Sequence, residues 1–296
     1  ILEVGAGSGE LAKQLLLSLE SSGFLPEEYL ILEVSADLVN LQKSKLKREI
    51  PELIDRVRWI KNLPDSFNGV VVANEVVDAI AVEKFRVEKD AILQGRVTRE
   101  NDSFQMSFVL APNFLTEAVR QIESDLKVKF FDGFESELST ATIYWIKELV
   151  KCINNGLVII CDYGVSRSEY YSFERNRGWL QCYFRHHVHH NPFILCGIQD
   201  ITSWVDFSAL ASAATDEGMF LSGFTNQAEF LLNGGLLNKV GEFSNLTTDR
   251  QIEISKQIKM LTMPGAMGEN FKILCLSTDE GYKLPAFSGC DLAHKL

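Results

Sequence analysis

At 296 residues, 46% of them hydrophobic, the chain is long enough for one large domain with an insertion or for two small ones. A formal net charge of −11 would repel a phosphate backbone, which argues against nucleic acid as the main partner and suits a cationic one. No apolar run of about twenty residues is present to span a membrane, and the six cysteines (Cys152, Cys161, Cys182, Cys196, Cys275 and Cys290) include no C-x-x-C pair, so they read as reduced core thiols in a reducing compartment.

The chain starts inside an apolar run, Ile1 to Val4, with no methionine and no polar lead-in, and so reads as cut at its N-terminus. The run breaks at Gly5-Ala6-Gly7-Ser8-Gly9 and resumes as a helical pattern over Leu11–Ser22, closed by Gly23. This spacing predicts a buried strand, a tight turn and a helix N-terminus. Glycine serves where φ is positive or where a ligand needs the space of a Cβ. The free N–H groups of the turn and first helical turn suit an electronegative group.

A second strand, Tyr29 to Leu32, ends at Glu33, and an amphipathic helix, Ala36–Glu49, stops at Pro51. A short strand follows at Val57–Ile60, then the continuous apolar run Val70-Val71-Val72-Ala73, which marks a central parallel strand covered on both faces. The alternation predicts an α/β fold with a doubly wound, mostly parallel, Rossmann-like sheet.

Three details favour S-adenosyl-L-methionine (SAM) over a dinucleotide. The glycines are spaced G-x-G-x-G rather than G-x-G-x-x-G. Glu3, inside the strand before the loop, can accept bonds from an amino group and would repel a pyrophosphate. Glu33, at the tip of the second strand, is placed to hold ribose hydroxyls. Glu3, Gly5, Gly7, Gly9 and Glu33 are therefore candidate cofactor residues, joined by Asn74 at the end of the central strand.

Beyond that strand the pattern changes. Glu83–Glu88, Ile92–Arg99 and Phe104–Leu110 alternate like antiparallel strands, and a helix is expected from Asn113 to about Lys127. Residues 83–137 read as a lobe inserted into a single methyltransferase domain spanning 1–296, over the carboxyl edge of the sheet, where ligands bind in open α/β folds. A helix over Ser139–Asn154, a core strand over Leu157–Cys161 and a long loop over Tyr170–His190 come next. A helix over Thr202–Gly218, capped by Thr202, then leads to strands Met219–Phe224 and Phe271–Leu276, with helices at Gln227–Leu232 and Thr248–Leu261 between them.

Three stretches carry candidate chemistry. Asn74-Glu75-Val76-Val77-Asp78 follows the central strand, whose end faces the sulfonium methyl in a methyltransferase. On a short helical turn Glu75 and Asp78 would share one face and could grip a planar cation bidentately. His186-His187-Val188-His189-His190 has zinc-compatible spacings but no cysteine pair or acid to complete a set, so no metal is expected. A polar entrance loop with one imidazole able to act as base fits better. In Gly197–Phe207, Asp200 and Thr202 read equally well as helix caps or as site groups.

Together these stretches resemble the MidA family of SAM-dependent methyltransferases, across nearly the whole chain. The resemblance rests on Leu2–Gly9, on Ala73-Asn74-Glu75-Val76-Val77-Asp78-Ala79, and on Gly178-Trp179-Leu180 through His186. It continues through Gly197-x-Gln199-Asp200-Ile201-Thr202-x-x-Val205-Asp206-Phe207 and ends on Met263–Lys272. Ala81, Trp179 and Ala266 depart from the usual proline, threonine and glutamate. The resemblance implies methylation of an arginine of a protein substrate, as in the family's mitochondrial complex I assembly enzyme. Glu75 and Asp78 would then hold the guanidinium, and Asp200 or a loop histidine would take the proton. It also implies a bacterial cytoplasm or a mitochondrial matrix, and leaves a homodimer open. The alternatives are a small-molecule methyltransferase and a non-catalytic SAM-binding assembly factor for a respiratory complex.

Overall fold

The computed structural model describes residues 1–185, 187–241 and 243–296. In chain order its strands are β1 (Leu2–Val4), β2 (Tyr29–Leu32), β3 (Val57–Ile60), β4 (Phe67–Asn74) and β5 (Glu83–Glu88). Then come β6 (Ala91–Glu100), β7 (Ser103–Leu110), β8 (Glu135–Leu138), β9 (Ile153–Val165) and β10 (Leu180–Phe184). The last five are β11 (His187–His189), β12 (Asp200–Ser203), β13 (Val205–Asp206), β14 (Phe220–Asn226) and β15 (Phe271–Ser277). Two units are formed. One comprises Ile1–Val76, Ile146–Asp162 and Ala211–His294, the other Val77–Trp145, Tyr163–Leu210 and Lys295–Leu296.

The first unit is a sheet in the order β14-β15-β9-β4-β1-β2-β3. Strands β3, β2, β1, β4 and β9 run parallel, while β14 and β15 form an antiparallel pair. A parallel strand covered on both faces needs side chains without polar atoms on either side. That is why Leu2, Ile31, Val71, Val158 and Ile160 are all fully buried. Helix α1 (Glu10–Ser21) buries Ala12 and Leu16, and helix α2 (Ala36–Glu49) buries Gln42 and Leu46. Ser35 caps α2, its hydroxyl accepting from the N–H of Leu38 at 3.3 Å.

The second unit holds a four-stranded antiparallel sheet, β7-β6-β5-β8, and a three-stranded one, β11-β10-β12. Helix α3 (Asn113–Leu126) packs Leu115, Val119 and Ile122 into a core with Phe85, Phe130, Phe134 and Trp179. The Phe130 and Phe134 rings stack at 4.3 Å. Among the described residues no helix is long and apolar enough to cross a membrane.

Several expected elements are corrected. The Tyr170–His190 loop contains β10 and β11, and Thr202 and Ser203, expected at a helix start, end strand β12 (Asp200–Ser203). Leu180 to Tyr183 pairs with Ser203 to Asp200, and Phe184 to Cys182 with His187 to His189. The helix starts only at Phe207 and is capped by Asp206, which accepts from the N–H of Ala209 at 3.0 Å. Neither Asp200 nor Thr202 is a cap. Strand β8, Glu-Ser-Glu-Leu, has no apolar run to mark it in the sequence. Its Glu137 is 0% exposed and accepts from Lys84 Nζ at 3.0 Å and from the N–H of Trp179 at 2.7 Å. A glycine precedes Trp179 because a Cβ at Gly178 would lie 2.1 Å from that carboxylate. The predicted helix over Ser139–Asn154 ends earlier, at Lys151, since Ile153 already pairs with Phe67 of β4. All six cysteines are free, and Cys196 is exposed rather than in the core.

Candidate active site

Gly5, Gly7 and Gly9 all adopt left-handed backbone, at φ 66°, 50° and 76°, which side-chain-bearing residues take only with strain. The N–H of Gly5 donates to Leu32 O at 3.0 Å, and that of Gly9 to Ala6 O at 2.7 Å, folding the chain back over the end of β1. A Cβ built on Gly7 meets nothing within 4 Å, so the loop presents bare backbone to open space.

Gln42, which sequence reasoning missed, holds this loop from below. Its Nε2 donates to Gly7 O at 2.9 Å and to Glu33 Oε2 at 3.1 Å, while its Oε1 accepts from Trp59 Nε1 at 2.9 Å. The available signal was an amide four residues before Leu46 on the buried face of α2. Glu33 also accepts from the N–H of Ser35 at 3.0 Å. Each of its oxygens retains a second lone-pair site with which to accept a ligand hydroxyl.

Glu3 is 3% exposed and accepts from the Tyr29 hydroxyl at 2.8 Å. Burial raises its carboxyl to about 7, against the opposing pull of that hydrogen bond. The folded state therefore holds a proton that the unfolded chain loses near the ordinary carboxyl value of 4.5. This contribution to stability is complete below that value and is lost as pH rises through about 7. Above pH 7 the buried charge costs on the order of 3 kcal/mol. Glu3→Gln keeps an acceptor for Tyr29 and removes the charge. We expect the variant to lack the wild-type fall in urea midpoint between pH 5 and 7 and to be the more stable protein at pH 8. Parallel pH curves would show that Glu3 stays ionised in the interior.

At the end of β4, Asn74 and Glu75 are exposed. The N–H of Glu75 donates to Cys161 O at 2.9 Å, and that of Val76 to the buried Asp162 Oδ2 at 3.2 Å. Glu75 has φ 50°, a strained conformation for a residue with a side chain. The expected helical turn is absent, so Glu75 and Asp78 do not share a helical face. In the second unit Asp78 is 6% exposed and accepts a hydrogen bond from the Tyr163 hydroxyl, and its carbonyl accepts from the N–H of Ser203 at 3.0 Å. Burial raises its carboxyl, the Tyr163 bond opposes this, and the field of Asp200 adds to the rise. Asp200 itself is exposed on β12. The structure thus brings Asp78 and Asp200 within each other's field, while Glu3, the glycine loop, Glu33, Asn74 and Glu75 belong to the sheet unit.

His187 and His189 lie on β11. His186 falls outside the described residues, among which no three His, Cys, Asp or Glu side chains gather as a metal site.

A sheet of this strand order, with a glycine loop after β1 and an acid after β2, defines the Rossmann-like SAM-dependent methyltransferases, and the bare backbone at Gly7 leaves room for that cofactor. Residues 1–225 match the S-adenosyl-L-methionine-dependent methyltransferase family Methyltransf_28. A COG1565 superfamily member from Burkholderia thailandensis bound to S-adenosyl-homocysteine is 31% identical, with a TM-score of 0.91 over 100% of this chain and 75% of that one. An uncharacterized COG1565 superfamily protein from the same organism is 32% identical, with a TM-score of 0.92 over 100% of this chain and 78% of that one. The mitochondrial protein arginine methyltransferase NDUFAF7 of Danio rerio is 24% identical over 297 residues, covering 92% of this chain and 67% of the relative. The chain belongs to this MidA (COG1565) family of methyltransferases, and its cofactor is SAM.

Proposed function

We propose that the protein transfers the methyl group of SAM to an arginine side chain of a protein substrate. The observation that carries this reading is Glu75, an exposed carboxylate held in strained backbone at the end of the central strand. Strain of this kind persists where the surrounding structure imposes it, and it clusters at functional sites. The arginine methyltransferase NDUFAF7 supports the acceptor, and a net charge of −11 suits a cationic one.

In this reading Gly5, Gly7 and Gly9 cradle the cofactor, Glu33 accepts from its ribose hydroxyls, and Glu3 and Asn74 complete its surroundings. SAM supplies an electrophilic methyl group, and transfer is mainly a matter of alignment. Arginine stays protonated, so its nitrogen lone pairs are delocalised. A carboxylate that localises the positive charge frees one nitrogen to attack, and Glu75 takes that role. Asp78, oriented by Tyr163, and the exposed Asp200 handle the proton released as the N–C bond forms and the methyl–sulfur bond breaks, with S-adenosyl-homocysteine as the leaving group.

The test is mass spectrometry of cells fed methyl-labelled methionine and expressing either the full-length protein or its Gly7→Val variant. We expect labelled methylarginine on at least one protein in the first case and its loss in the second. Equal arginine labelling, or a glycine-loop-dependent label found only on a small molecule, would overturn the arginine acceptor.

A further inference from the structure

The second unit contains a cavity of about 210 Å³ whose walls continue from Asp78. Val77 and Val82, on either side of Asp78 in sequence, line it, as do Ser203 at the end of β12 and Trp204 just beyond it. The hydrogen bond from the Ser203 N–H to the Asp78 carbonyl joins these two walls. Ala118 and Ile122 of α3 and Ile143 of α4 (Thr140–Lys151) contribute further apolar surface. The cavity is partly open to solvent, so a side chain of another molecule can enter it beside a candidate proton acceptor.

The charges on its rim show which guest it suits. Arg167 donates from Nε to Asp206 Oδ2 at 3.1 Å and from Nη1 to Asp125 Oδ2 at 2.6 Å. The other oxygen of Asp206 accepts from the N–H of Ala209 at 3.0 Å, and that of Asp125 from Gln121 Nε2 at 2.7 Å. Every carboxylate oxygen of the rim is engaged by the protein itself. A cationic guest would meet Arg167, and an anionic one two aspartates. An apolar cavity of about 150 Å³ holds benzene, so this one has room for a leucine, methionine or phenylalanine side chain.

We propose that the cavity is a specificity subsite for the acceptor protein, receiving one of that protein's uncharged apolar side chains beside Asp78. This rests on the protein-arginine reading above. Burying such a side chain accounts for roughly ten- to hundred-fold in acceptor affinity.

The experiment has two arms on the full-length protein. Toluene, the side-chain analogue of phenylalanine, is titrated while the methyl resonances of Val77, Val82, Ile122 and Ile143 are followed. We expect those resonances to shift in the wild type and toluene binding to disappear in Ala118→Leu, which fills the space. In the second arm an array of arginine-centred peptides is methylated with the residues flanking the arginine varied. One flanking position should prefer Leu, Met or Phe over Asp or Lys by at least about ten-fold. That preference should flatten in Ala118→Leu with SAM affinity unchanged. Where Ala118→Leu lowers the melting temperature, Ile143→Phe fills the cavity from another wall and should give the same pattern. Unmoved methyl resonances, or a flanking preference that survives both variants, would overturn the subsite. Toluene binding without methylation of any arginine peptide would instead overturn the arginine acceptor and leave the cavity a site for apolar guests.

Discussion

Gly7→Val should lose SAM binding by at least about a hundred-fold, through two effects acting together. Residue 7 sits at φ 50°, where a β-branched side chain is strained by about 1–2 kcal/mol. The new isopropyl group would also project into the space that the bare loop leaves open. Gly23 supplies the control, because it too is left-handed, at φ 76°, and a Cβ there also meets nothing within 4 Å. It lies just beyond the C-terminal end of α1, so Gly23→Val carries comparable backbone strain without a cofactor nearby. Calorimetry should find Gly23→Val slightly less stable but normal in SAM affinity, and Gly7→Val folded but unable to bind. Normal binding by Gly7→Val would move the cofactor away from this loop.

Glu75→Gln should lower arginine methylation about ten- to hundred-fold while leaving SAM affinity nearly unchanged. Losing one charge-assisted contact to a guanidinium costs about 1.5–3 kcal/mol. Glutamine keeps the length and the unbranched Cβ of glutamate, so the strained backbone at φ 50° is no worse off. Initial rates at saturating SAM, with equilibrium SAM binding measured alongside, separate the outcomes. A normal rate would make Glu75 a structural residue of the turn after β4. Joint loss of binding and rate would place it with the cofactor.

Much of the sheet unit was legible from local pattern. An apolar run broken by closely spaced glycines has few solutions, and strand β1, the loop and α1 take the expected one. The acid after β2, the helix Ala36–Glu49 and the continuous run of β4 followed from periodicity and punctuation, and in the second unit so did the alternation of β5, β6 and β7. These signals survive because a strand or helix covered by a sheet core must show its burial in its own residues.

The remaining assignments turned on groups whose partners are distant in sequence. Glu135 and Glu137 carry no local sign of burial, because Lys84, Arg86 and the Trp179 N–H, which engage them, lie far along the chain. Nothing in the helical pattern of Ala36–Glu49 sets Gln42 apart, yet it links Gly7, Glu33 and Trp59. Asp200 and Thr202 resembled caps because capping chemistry and strand-edge chemistry use the same residue types, and pairing with β10 settled the matter. Glu75 and Asp78, three residues apart, invited a helical reading. The ladder to Cys161 and the pull of Asp162 on the Val76 N–H hold the turn open instead, leaving one carboxylate exposed and the other buried against Tyr163. Periodicity records how much of a segment meets water. It carries no record of which distant donor satisfies a buried acid, and that is where this site was built.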